Sequence, residues 1–213
     1  MNILLVAGGD PKLWPADIMA KPFDLFVGID RGALFLLEEN KEVALAVGDF
    51  DSLSKKEHDL VGQKAQEILS AIAEKDDTDT QLALASIFAK YPLAQVTLIG
   101  ATGGRLDHLL ANIWLGVEPR FTPFMQQITI RDNKNCLSYL PAGKHRVKKI
   151  PGLKYLAYCC LTPVSKLTLT KSKYTLDQVE VLQPTSYASN EFIGQEAEIS
   201  FASGIVAVIQ SRD

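Results

Sequence analysis

Short apolar runs alternate with longer amphipathic stretches over the first 115 residues. Asn2–Ala7, Asp24–Gly28, Val43–Val47 and Gln95–Ile99 are runs of strand length, and a shorter one covers Ile68–Ile72. Between them the period lengthens. A helix is expected from Asp30-Arg31-Gly32 to about Asn40, a second over Lys55–Ala65, a third over Thr78–Lys90 and a fourth over Leu106–Leu115. In the third, Leu82, Ala85, Ile87 and Phe88 make one apolar face. Continuous apolar strands separated by helices imply a parallel sheet covered on both faces, with ligands at the carboxyl ends of its strands.

After Pro119–Pro123 the texture changes. Gln127–Arg131, Leu137–Tyr139, Lys154–Cys159, Lys166–Thr170, Gln178–Leu182, Ala197–Phe201 and Ile205–Gln210 are short and β-prone, with Gly, Pro or Asn between most of them. The expected fold is therefore a doubly wound, mainly parallel α/β domain over residues 1–125, followed by an antiparallel β-sandwich domain over residues 126–213. No repeat or low-complexity tract interrupts either half.

Composition sharpens this picture in two places. A chain of 213 residues that is 47% hydrophobic and 22% charged can bury a full core, and no apolar run reaches the ~20 residues of a membrane helix. Met1-Asn2-Ile3-Leu4 leads straight into a strand with no basic flank or cleavage site, so a cytoplasmic protein without a membrane partner is expected. The net charge of −3 hides an asymmetry. Residues 1–125 carry 11 Lys+Arg and 18 Asp+Glu, a net −7; residues 126–213 carry 11 and 7, a net +4. An acidic front half argues against nucleic acid and suits a site that collects cations. Cys136, Cys159 and Cys160 have no metal-ligand spacing, and His58, His108 and His145 are too scattered for zinc.

The chemistry is carried by three acidic clusters at strand-to-helix junctions. The first is Val47-Gly48-Asp49-Phe50-Asp51-Ser52. If the chain stays extended past Gly48, Asp49 and Asp51 share a side. Two carboxylates about 6 Å apart repel by roughly 3 kcal/mol at an effective dielectric near 20, a cost that a cation relieves. The second, Asp76-Asp77-Thr78-Asp79-Thr80-Gln81, opens the third helix; Thr78 and Gln81 have capping-box spacing, but a cap needs one acid and three are present. The third is Gly100-Ala101-Thr102-Gly103-Gly104-Arg105-Leu106-Asp107-His108, a glycine turn whose N–H groups can approach phosphate. Carboxylates converging on one rim fit Mg²⁺, which keeps positions for water and phosphate oxygens. No Gly-x-x-x-x-Gly-Lys-[Ser/Thr] loop and no Gly-x-Gly-x-x-Gly run is present, which excludes a P-loop enzyme and weakens a dinucleotide site. An aspartate-nucleophile phosphohydrolase is a rival for Asp49-Phe50-Asp51, but it leaves the β-rich half without a task.

Together these three motifs, in this order and spacing, resemble the thiamine pyrophosphokinase family: Val47-Gly48-Asp49-Phe50-Asp51-Ser52, Asp76-x-x-Asp79-Thr80-Gln81, and Gly100-x-x-Gly103-Gly104-Arg105-x-Asp107-His108-x-x-x-Asn112. Gly152-Leu153-Lys154-Tyr155, Ser189-Asn190-Glu191-Phe192 and Ser211-Arg212-Asp213 resemble that family's thiamine-binding domain. The resemblance implies transfer of pyrophosphate from ATP to thiamine with release of AMP, Mg²⁺ as cofactor, and a homodimer with sites between subunits. It implies Asp49, Asp51, Asp79 and Asp107 for catalysis and metal. For ATP it implies Asp30, Gln81, Gly103, Gly104, Arg105 and Asn112, and for thiamine Ser189 and Asn190. Two departures from the family pattern, Leu156-Ala157 and Tyr187-Ala188, bear on the detail of the thiamine pocket that the resemblance implies, not on the ATP chemistry.

Overall fold

A computed structural model describes residues 1–70 and 77–213. Asp76 and the end of the expected strand at Ala71-Ile72 lie outside the described residues. The chain divides into two compact units, Met1–Leu115 with Ile130–Asn133, and Gly116–Thr129 with Lys134–Asp213.

The first unit is built on a parallel sheet. Strands β1 (Asn2–Val6), β2 (Leu25–Ile29), β3 (Val43–Gly48), β4 (Ile68–Ser70) and β5 (Gln95–Ile99) lie in the order β5-β1-β2-β3-β4, each pair parallel. Helices α1 (Arg31–Glu38), α2 (Lys55–Lys64), α3 (Asp79–Lys90) and α4 (Leu106–Trp114) form the connections. Strands buried on both faces must be apolar throughout, and Ile3 to Val6 are fully buried. Leu4 and Val6 of β1, Ala33, Leu34 and Leu36 of α1, Val43 and Ala46 of β3, and Trp14 share one core. The order reverses between β1 and β5, and a crevice opens there beyond the carboxyl ends, where open α/β sheets bind ligands. Ile130–Asn133 returns to this unit: Asn133 N–H donates to Leu13 O (2.7 Å), fixing the turn Pro11–Leu13 that follows β1.

The second unit is antiparallel. It contains β7 (Asn135–Lys148), β8 (Tyr155–Cys160), β9 (Val164–Thr170), β10 (Leu176–Val181), β11 (Thr185–Glu191) and β12 (Glu196–Ser211); β6 (Ile128–Arg131) leads from it back to the first unit. Strand β12 pairs with β7 along its length, while its first half also pairs with β9 and its second half with β8. The ladder shifts register between Phe201 and Ile205, at Ser203-Gly204. Such a bulge lets one long strand pass from one sheet to another. Leu156, Tyr158, Leu167, Leu169, Ile199 and Val208 close the core between them.

Three elements depart from the pattern-based expectation, all in this unit. Ala197–Phe201 and Ile205–Gln210 are one strand, because the bulge keeps the ladder continuous across Gly204. β7 extends well beyond Leu137–Tyr139: exposed Lys144, Arg146 and Lys148 alternate with half-buried His145 and Val147, a half-solvated strand that carries little apolar signal. β11 has no counterpart among the expected strands. It pairs with β8 alone, and an edge strand of mostly exposed residues needs no apolar run.

Candidate active site

The site begins where β2 meets α1. Asp30 holds φ +48° and ψ −122°, a conformation costly for a residue with a side chain. Its surroundings over-determine it: Asp30 N–H donates to Val47 O (2.9 Å), Ala33 N–H donates to Asp30 O (3.0 Å), and Phe50 N–H donates to Asp30 Oδ1 (3.4 Å). Gly48, at φ +144°, makes room for that carboxylate. A Cβ there would stand 1.9 Å from Asp30 Oδ1.

Beyond Gly48 the chain does not stay extended, so the condition under which Asp49 and Asp51 would share a side is not met. Phe50 turns to φ +58° and buries its ring, edge-on to His58, and Asp51 N–H donates to Asp49 Oδ1 (3.0 Å). Burial of one aromatic ring thus outweighs strand continuation, and exposed Asp49 and Asp51 flank it.

Helix α3 brings the next acid. Thr78 caps it with a reciprocal box, Gln81 N–H donating to Thr78 Oγ1 (3.3 Å) and Thr78 N–H to Gln81 Oε1 (2.8 Å). This places Asp79 in the first turn, where its side chain shares a hydrogen bond with Asp30. Burial, then the charges of Asp79 and Asp49, push the Asp30 carboxyl up to about 7, while burial and the charge of Asp49 also raise Asp79. Their shared hydrogen bond raises Asp30 and lowers Asp79, so of the two Asp30 takes up a proton more readily. Asp51 adds further repulsion at Asp79. Asp30, Asp49, Asp51 and Asp79 therefore form one electrostatic cluster. Among the described residues no three His, Cys, Asp or Glu side chains form a ready metal cage.

The opposite wall is the turn after β5. Gly9 N–H donates to Gly100 O (2.9 Å), and a Cβ on Gly9 would come within 2.4 Å of that oxygen. Thr102 Oγ1 donates to Asp132 (2.8 Å), and buried Asn112 donates from Nδ2 to Ala101 O (3.1 Å), so the turn is held from both ends. Gly103, at φ +78°, lies over Leu13, and Gly104 is open to solvent. Arg105 and Asp107 form an exposed ion pair (2.6 Å). Asp107 is held below the usual carboxylate range by Arg105.

Between these walls lies a cleft of about 520 Å³, lined by Gly8 and Gly9 after β1, Asp30 and Arg31 after β2, Ser52, Thr78 to Thr80 at the start of α3, and Gly100 to Asn112 in part. Gly8 and Gly9 were not among the expected site residues; their signal was a glycine pair directly after the central strand. Arg31 is tied to Ser52 O and to Glu57 (3.6 Å), which fixes a guanidinium at the rim.

In the second unit, Ser189 is exposed at φ +59°, where β11 shifts register against β8. Asn190 is buried and its amide is committed to the chain: Oδ1 accepts from Tyr174 N–H (2.9 Å) and Glu191 N–H (2.9 Å), and Nδ2 donates to Tyr174 O (2.8 Å) and Ser172 Oγ (3.3 Å). It is a clamp that holds Ser189 beside Tyr174, whose ring is exposed. Tyr174 was missed in the sequence because the clamp joins residues 16 apart. Tyr155 lies between Glu191 and Ser211 in the ladder and donates to Asp213 (3.0 Å), so the three C-terminal motifs meet at one end of this unit.

Comparison with known proteins agrees with both units. Residues 17–129 match the family model described as thiamin pyrophosphokinase, catalytic domain, and residues 144–206 match thiamin pyrophosphokinase, vitamin B1 binding domain. The thiamine pyrophosphokinase of Bacillus subtilis (strain 168) is 34% identical in sequence, over 100% of this chain and 99% of that protein. A thiamin pyrophosphokinase family protein from Enterococcus faecalis has a solved structure with TM-score 0.96 and 54% identity, covering 100% of both chains. The solved Bacillus subtilis enzyme superposes with TM-score 0.86, again over 100% of both chains, with 30% identity in that superposition.

Proposed function

The chain belongs to the thiamine pyrophosphokinase family, and from that premise we propose that it transfers the pyrophosphoryl group of ATP to the hydroxyl of thiamine, giving thiamine diphosphate and AMP. Its homologues indicate thiamine diphosphokinase activity. The observation that carries the reading is the cluster of Asp30, Asp49, Asp51 and Asp79 beside a cleft at the reversal point of a parallel sheet.

ATP occupies this cleft. The backbone N–H groups of Gly103 and Gly104 and the amino end of α3 donate toward its phosphates, Arg31 and Arg105 supply positive charge, and Gln81 and Asn112 hold the walls in shape. Asp107 orients Arg105. The aspartate cluster suits Mg²⁺: its carboxylates are hard oxygen donors whose mutual charge raises Asp30 and Asp79, a repulsion that a dication relieves. A closed three-residue cage is not required, because Mg²⁺ takes one or two carboxylates and completes its sphere with water and phosphate oxygens. Asp49, Asp51 and Asp79 would hold it, with Asp107 at the far rim, and it supplies neutralisation of charge on the phosphate oxygens. One of the clustered carboxylates accepts the proton of the attacking hydroxyl.

Thiamine is planar and cationic, and the exposed ring of Tyr174 beside Ser189 offers it a face and a hydroxyl. Asn190 serves thiamine by holding that pair together. The active form is a homodimer in which the acidic half of one chain meets the basic half of the other, in the cytoplasm. No helix among the described residues is long and apolar enough to cross a membrane. Incubation with thiamine, ATP and Mg²⁺ tests the reading: AMP and thiamine diphosphate should appear in equal amounts, and ADP with thiamine monophosphate would refute it.

A further inference from the structure

The turn between β5 and α4 places three glycines among five residues, Gly100, Gly103 and Gly104. Glycine loses more backbone freedom on ordering than any other residue. Donors carried by such a turn therefore bind phosphate well only if something outside the turn has already fixed them. Asn112 supplies one tie, at Ala101 O. The other comes from Asp132, 30 residues further along the chain, which accepts from Thr102 Oγ1 over 2.8 Å in a partly buried bond. A hydroxyl donating to a carboxylate is among the stronger hydrogen bonds.

Asp132 is itself anchored through its neighbour. Asn133 donates from its N–H to Leu13 O (2.7 Å) and from Nδ2 to Lys12 O (3.0 Å), which lies 121 residues away in sequence. Leu13 closes the short turn after β1, and Gly103 packs on it: a Cβ at Gly103 would stand 2.2 Å from Leu13 Cδ1. The bond from Gly9 N–H to Gly100 O (2.9 Å) joins the same two turns at their other ends. The turn after β1, the turn after β5 and Asp132-Asn133 thus make one ring of contacts, all within the first unit. Gly9, Gly100, Thr102 and Gly104 line the cleft from that ring, whereas Asp132 stands behind them and does not line it.

We propose that Asp132 is a positioning residue for the nucleotide: by holding Thr102 it sets the Gly103-Gly104 N–H groups for the phosphates before ATP arrives. The inference rests on the ATP site proposed above and names what keeps one wall of it in shape. The role needs an acceptor for the Thr102 hydroxyl rather than a negative charge. That requirement separates it from a metal ligand, whose charge is essential, and from a general contribution to stability, which would not single out ATP.

Calorimetric titration with ATP and Mg²⁺, in the absence of thiamine, tests this. Asp132→Ala and Thr102→Val should each weaken ATP binding ~10-fold, as loss of a hydrogen bond to a charged group implies. Both remove the same bond, so the double variant should bind no more weakly than either single one. Asp132→Asn keeps an acceptor and should stay within ~3-fold of wild type. In turnover the loss should appear in KM for ATP, with KM for thiamine unchanged. Should Asp132→Ala not fold, Thr102→Val against Thr102→Ser, which keeps the donor, reads the same bond. Unchanged ATP affinity in Thr102→Val, additive losses reaching ~100-fold in the double variant, or an Asp132→Asn as weak as Asp132→Ala would each overturn the role of Asp132 while leaving the ATP site standing. A wild type that binds no ATP overturns both. Formation of AMP is read separately and bears on the reaction alone.

Discussion

Asp30 spends backbone strain to stand where it does, at φ +48° between Val47 and Phe50. Strain of this kind persists only where the surroundings enforce it, and here it points a carboxyl at Asp79. Gly48→Ala would push that carboxyl away, so it should lower activity at least ~10-fold, about 1.4 kcal/mol in barrier, with the protein still folded by circular dichroism. Asp49→Asn and Asp79→Asn should each cut turnover by ~100-fold or more, about 2.7 kcal/mol. Near-normal turnover in both would remove the cluster from the mechanism. Asp107→Asn should act differently, raising KM for ATP more than it lowers kcat, because its visible partner is Arg105. The three acidic motifs were legible in the sequence because their chemistry is local. What was not legible is which acids meet. That depends on the turn at Phe50 and on the strained backbone of Asp30, neither of which has a sequence period.

The same division holds among elements. The parallel strands β1, β2, β3 and β5 were readable to within a residue or two because each is a largely buried apolar run, as Gln95–Ile99 illustrates. The capping box of α3 was readable from Thr78 and Gln81 alone, and the structure forms it. Thr78→Ala should cost about 1 kcal/mol of stability and also loosen Asp79, so the melting temperature and kcat should fall together. β11 was not readable, since its residues are polar and its place comes from β8 and from the Asn190 clamp. Asn190→Ala would leave the N–H and C=O of Tyr174 and the hydroxyl of Ser172 without that partner. A loss of roughly 1–3 kcal/mol is expected, with a higher KM for thiamine and an unchanged KM for ATP. An equal rise in both would show that Asn190 acts only through general stability.

For the whole molecule, the change of texture near residue 125 announced two units, while the return of Ile130–Asn133 to the first was hidden, because Asn133 bonds to Leu13 O and Lys12 O across more than a hundred residues. The front half's net charge of −7 was readable by counting and agrees with the aspartate cluster. If Mg²⁺ relieves that cluster, the melting temperature should rise with Mg²⁺ concentration as ligand linkage requires, and the rise should vanish in the Asp49→Asn, Asp79→Asn double variant. The central claim, however, concerns which phosphorus is attacked. ATP labelled at the β-phosphorus separates the possibilities in one experiment. Attack by the thiamine hydroxyl at that atom sends the label into thiamine diphosphate and leaves the released AMP unlabelled. Label recovered in ADP, with thiamine carrying a single unlabelled phosphate, would contradict the account.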